Sequence, residues 1–128
     1  MSNKIFTIRF LIPFAIVAIA ITGCEYEFIE PEKVILPEVV SFADDIQPIF
    51  DKGCNISGCH VSGFGVLDLS AANAYQDLFR RGLINLETPE ESGLYVKLID
   101  NGGTHQGRST ASEQAIVLEW IKKGAQNN

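Results

Sequence analysis

The sequence predicts one all-α domain of four or more short helices. Three observations carry that reading. At 128 residues the chain holds one domain at most. Its apolar residues recur at spacings of three and four, with neither sustained strand alternation nor an internal repeat. The periodic stretches open on cap residues or a first-turn proline and close on glycine.

The N-terminal region stands apart from this pattern. Lys4 and Arg9 precede an uncharged, apolar run over residues 10–21, which then reaches Thr22-Gly23-Cys24. A helix crosses a bilayer with about 20 apolar residues, so this shorter run reads as a secretory signal over residues 1–23. Small residues before a cysteine resemble the lipobox of bacterial lipoproteins. That resemblance implies a lipid-modified Cys24 as the new N-terminus and a membrane-anchored domain in the periplasm or at the cell surface. An ordinary cleavage site beside a cysteine is the alternative. Removing the leader takes two of the ten basic residues and none of the sixteen acidic ones, leaving a net charge of −8. Such a chain offers no basic surface to nucleic acid. Glu25, Glu27, Glu30 and Glu32, with Pro31 and Pro37, describe an acidic tether over residues 24–41.

The domain is expected over residues 42–128. Asp44 or Asp45 is placed to cap a first helix with Pro48 in its first turn, Ile46, Ile49 and Phe50 on its apolar face and Gly53 at its end. A glycine-rich loop at residues 62–65 separates it from a second helix, capped by Ser70, running over 71–81 and closed by Gly82. Thr88-Pro89-Glu90-Glu91 opens a third, with Leu94, Tyr95, Leu98 and Ile99 inward, stopping at Gly102-Gly103. Thr110-Ala111-Ser112-Glu113 is a capping box for a fourth, with Ile116, Val117, Trp120 and Ile121 inward. Lys122 and Lys123 in its last turn complement the helix dipole before Gly124.

The chemistry is concentrated in Cys54-Asn55-Ile56-Ser57-Gly58-Cys59-His60. Two thiols followed at once by an imidazole is the arrangement that attaches c-type haem. Each thiol adds to a vinyl group and the histidine becomes the proximal iron ligand. The usual spacing between the cysteines is two residues. Here it is four, and the extra pair must bulge outward, which Gly58 permits.

Residues 42–125 resemble the short cytochrome c-like domain often called planctomycete-type cytochrome c. The matching pieces, in order, are Phe42-Ala43-Asp44-Asp45-Ile46-Gln47-Pro48-Ile49-Phe50, the Cys54…Cys59-His60 motif, Glu91-Ser92-Gly93-Leu94-Tyr95 and Leu118-Glu119-Trp120-Ile121-Lys122-Lys123-Gly124-Ala125. The resemblance implies a class I-like cytochrome c fold in which N- and C-terminal helices cross beside one covalent haem c. It also implies electron transfer with redox partner proteins, not substrate turnover. A domain this small gains from such a staple. Phe50, Phe64, Tyr75, Phe79, Tyr95 and Trp120 are candidates to line the cofactor or, equally, to fill an ordinary core. The acidic surface would steer cationic partner surfaces toward it, less so at high salt.

Methionine on the far side of the iron is excluded, because Met1 is the only methionine and leaves with the signal. The remaining histidine, His105, lies in the loop Asn101-Gly102-Gly103-Thr104-His105-Gln106-Gly107-Arg108, where a distal ligand is expected. Bis-histidine ligation lowers the reduction potential relative to His/Met. An open or water-bound iron is the alternative; it would admit small ligands and peroxidase-like activity. Arg108 could pair with a haem propionate or simply face solvent.

Two haem-free readings compete. One is a structural or interaction lipoprotein with a Cys54–Cys59 disulfide, which an oxidising compartment favours. The other is a zinc site from Cys54, Cys59, His60 and His105. No Ser/His/Asp spacing, paired-carboxylate motif or phosphate loop supports a hydrolase.

Overall fold

The computed structural model describes residues 36–100 and 102–128, within a compact unit spanning Lys33–Asn128. The expected signal peptide over residues 1–23 and the expected lipidation at Cys24 lie outside the described residues. Four α-helices are present and, among the described residues, no strand: α1 Gln47–Gly53, α2 Ala74–Arg80, α3 Gly93–Ile99 and α4 Ala111–Lys122. The all-α expectation holds. No helix among the described residues is long and apolar enough to cross a membrane.

A π-turn, Phe42–Ile46, runs directly into α1. Its cap is Ser41, one turn earlier than Asp44 or Asp45. The Ser41 hydroxyl accepts from Asp44 N at 3.1 Å and Asp45 Oδ2 accepts from Ser41 N at 2.8 Å, so the acid completes the cap instead of making it. Ser41 thus satisfies donors that a helix start leaves unpaired. Val40, placed by sequence in the tether, is buried in the core at 5% exposure. The Pro37 and Glu38 carbonyls accept from Lys123 Nζ beyond the end of α4.

α2 is three residues shorter at its start than expected. Residues 71–73 form a turn, and Asn73 N and Ala74 N both donate to Ser70 O. The helix opened by Thr88-Pro89 breaks after one 3₁₀ turn, Pro89–Glu91. Ser92 causes the break: its hydroxyl accepts from Asn85 N at 2.9 Å and donates to Asn85 O at 3.2 Å, and it is 1% exposed. A buried hydroxyl left without those partners would cost free energy, so the backbone turns to keep them. α3 restarts at Gly93, whose missing Cβ lets Leu83 lie against it. α4 matches its signals most closely. Thr110 Oγ1 accepts from Glu113 N and Glu113 Oε2 accepts from Thr110 N, closing the reciprocal cap.

The core sits between the π-turn, α1, α2 and α4. Phe42 packs edge-on to Tyr75 at 5.3 Å and tilted to Trp120 at 5.4 Å. Phe50, Ile46, Leu78, Val117 and Ile121 fill the space around them. Leu94 and Leu98 of α3 close the core from the other side, while Ile99, expected inward, is exposed.

Candidate functional site

The cysteine–histidine stretch hangs from the end of α1. Cys54 N and Asn55 N both donate to Phe50 O, at 2.8 and 2.7 Å, and His60 N donates to Cys54 O at 3.2 Å. Cys59 N donates to Ile56 O at 2.9 Å, and Gly58 adopts a φ of 81°. That left-handed backbone opposes a side chain, and the two extra residues are absorbed in a tight turn. Both thiols are free and half-buried. Burial pushes the Cys54 thiol above its ordinary value, Arg108 pulls the other way, and Cys59 and Glu113 add to the rise. Cys54 is thus a neutral thiol near pH 7, unlike the activated thiolate of a cysteine catalyst.

His60 Nδ1 lies 2.9 Å from Leu67 O. A carbonyl oxygen only accepts, so Nδ1 is a donor, and in the neutral ring that leaves Nε2 as the nitrogen with a free lone pair. That is how a protein presents imidazole to a metal. The strap supplying the carbonyl is itself clamped. Val66 O accepts from Arg81 at 3.0 Å, Asp68 N donates to Asp77 Oδ2 at 2.9 Å, and Leu69 O accepts from Gln47 Nε2 at 3.0 Å. Leu69 N returns to His60 O at 2.9 Å. Leu67 is therefore held on both flanks by α2 and α1, and its carbonyl cannot turn without breaking these bonds.

Asp77 is the keystone of that clamp. The hydrogen bond from Asp68 N, then the Arg80 and Arg81 guanidiniums, hold its carboxyl well below the usual carboxylate range against the opposing effect of burial. Its folded-state pKa lies below its unfolded value. The stability it contributes is therefore complete above about pH 4 and is lost as the pH falls from there toward the folded value. Asp77→Asn should flatten the acid limb: denaturant midpoints will drop less steeply below about pH 4 than in the wild type. Parallel curves would contradict the clamp.

Cys54, Cys59 and His60 line a cavity of about 480 Å³ together with His105. Leu67, Leu69, Leu83, Leu94 and Leu98 give it an apolar wall. Among the described residues its only charged lining residues are Lys97 and Arg108, and no carboxylate lines it. The His60 and His105 rings stand 6.2 Å apart, centre to centre, with planes 25° from parallel. Arg108 O approaches the end of α1 so closely that a Cβ on Gly53 would overlap it. Gly53 therefore matters as the contact that brings the His105 loop to α1, beyond ending the helix.

No family model, curated protein or solved structure matches the chain.

The ring separation is compatible with one metal atom between the two imidazoles. Two metal–imidazole bonds of about 2.0–2.1 Å, with the distance from nitrogen to ring centre added on each side, come to about 6 Å. A cavity of several hundred cubic ångströms with an apolar wall and a few polar groups suits a flat organic cofactor. The zinc reading is not met: among the described residues no three His, Cys, Asp or Glu side chains gather around one point. Of the six aromatic candidates, only Phe64 lines the cavity; Phe50, Tyr75 and Trp120 belong to the core or its edge. Sequence reasoning did not single out Leu67 or Lys97. A backbone carbonyl as partner leaves no trace in the side-chain pattern, and a single lysine on a helix carries no motif of its own.

Proposed function

We propose that this domain is a monohaem c-type cytochrome that carries electrons, held at a bacterial membrane by lipid on Cys24. The observation that supports it is the meeting of both thiols and both imidazoles of the mature domain at one apolar cavity. Cys54 and Cys59 would hold the haem by thioether bonds, each thiol adding across a vinyl group. His60, its Nδ1–H anchored on Leu67 O, and His105 would supply the imidazoles that hold the iron. Lys97 and Arg108 would meet the two propionates, since a buried anion needs a cation or hydrogen-bond donor beside it. A bound haem supplies one iron that alternates between two oxidation states.

The chain's own part is to grip, orient and shield. The leucine wall excludes water and lowers the dielectric around the site. Phe64 and Val66 line the cavity and are exposed, so a partner would approach the site from their side. None of this asks an acid or base to turn over a substrate, so an electron carrier is favoured over an enzyme. The partners would be redox proteins with cationic docking faces, given the acidic balance of the chain.

Protein made in a host equipped for haem c maturation should be coloured and low-spin in both oxidation states. His105→Ala should convert it to a high-spin spectrum without loss of colour. An unchanged spectrum in that variant would reject His105 as a ligand.

A further inference from the structure

The two imidazoles at the cavity are held in unlike ways. His60 is fixed at its backbone N, its backbone O and its ring Nδ1, each to a residue at least six positions away. The strap it leans on is tied to α1 and α2. His105 sits in a three-residue 3₁₀ turn, Gly103–His105, and no hydrogen bond to its ring is made among the described residues. Among the described residues the bonds of its loop are local: Gly102 N to Asp100 Oδ1, Arg108 N to His105 O and Arg108 Nε to Thr104 O. Gly103 and Gly107 bracket the histidine with φ of 68° and 70°, and a Cβ at either would meet nothing within 4 Å. Residues on both sides of His105 are exposed. Firm anchorage resumes only where Arg108 O abuts Gly53 and the Ser109 hydroxyl reaches Leu98 O at 3.2 Å.

A loop that breaks no long-range bond when it moves opens at low cost. A ligand without a partner on its second ring nitrogen is also the less firmly oriented of a pair. We propose that His105 is a displaceable ligand and that the site takes a neutral diatomic molecule, such as carbon monoxide or nitric oxide, at the iron in its place. This rests on the haem reading above. The exchange breaks the bond between iron and the His105 imidazole and forms one from iron to the carbon or nitrogen of the ligand. No electron or proton changes hands. The neutral class follows from the lining. Five leucines line the cavity, and Lys97 and Arg108, its charged residues among those described, are already assigned to the propionates. A small uncharged molecule therefore enters without the desolvation that an ion would suffer.

The test uses the matured holoprotein, with covalent haem first established by its mass. The reduced protein is mixed with carbon monoxide at graded concentrations and followed by rapid-mixing absorbance. The wild type should bind with a rate that reaches a plateau, because release of His105 becomes limiting. His105→Ala should show a rate that rises in proportion to carbon monoxide. Its affinity should be higher by about tenfold if His105 occupies the iron roughly nine-tenths of the time. His105→Gln gives the same comparison if the alanine variant does not retain its fold. No spectral change in the wild type, or identical kinetics in wild type and variants, overturns the proposal while leaving the cytochrome reading intact. Absence of haem at the mass stage removes both.

Discussion

Trp120→Ala is expected to destabilise the domain by about 3–5 kcal/mol, the usual cost of deleting a large buried aromatic. Trp120 is 1% exposed, packs against Phe42 and Tyr75, and donates Nε1–H to Gln126 O at 2.9 Å. It therefore joins the first helical segment, α2, α4 and the C-terminal residues. A domain of this size has a total stability of only about 5–15 kcal/mol, so the loss is a large share of the whole. Melting temperature should fall by more than about 12 °C, with wild type and variant compared in the same cofactor state. Trp120→Phe should recover most of the packing but not the hydrogen bond, and should fall between the two. A drop of less than about 1 kcal/mol in the alanine variant would contradict this account of the core.

The second large effect is expected at Gly53. A valine there places its Cβ on the Arg108 carbonyl oxygen, and the contact is backbone on both sides, so no side chain can swing clear. Overpacking of this kind costs about 1–3 kcal/mol. The strain is relieved only by moving α1 away from the loop that carries His105, which separates the two sides of the cavity. Gly53→Val should thus lower the denaturant midpoint and also shift the holoprotein toward a high-spin spectrum. An unchanged spectrum with lowered stability would mean that the His105 loop is positioned by something other than this contact.

Much of the helix inventory was legible in the sequence because its signals are local. Thr110 and Glu113 cap α4 in the reciprocal manner their spacing announces, and Gly82 and Gly124 follow α2 and α4 with the expected reversal bonds to Phe79 O and Ile121 O. What stayed hidden depended on distant partners. Ser41 outcompetes Asp44 and Asp45 as the first cap, although all three residue types suit the role. Ser92 breaks a well-signalled helix because Asn85 waits for its hydroxyl, and nothing near Ser92 in sequence shows that. At the site, Cys54, Cys59, His60 and His105 could be named from spacing and elimination, and the fold brings them to one cavity. Two features could not be read in advance. One is the strap of residues 66–69, which uses backbone atoms to orient His60. The other is the placement of Phe50, Tyr75 and Trp120 in the core or at its edge, where helix packing holds them away from the cavity.

The central claim is tested most directly by the intact mass of the protein after maturation in a haem c-competent host and full denaturation. The account predicts a single species heavier than the processed polypeptide by one haem, with Cys54→Ser/Cys59→Ser losing that increment under the same conditions. A polypeptide of unmodified domain mass, or one lighter only by the two hydrogens of a Cys54–Cys59 disulfide, would contradict it.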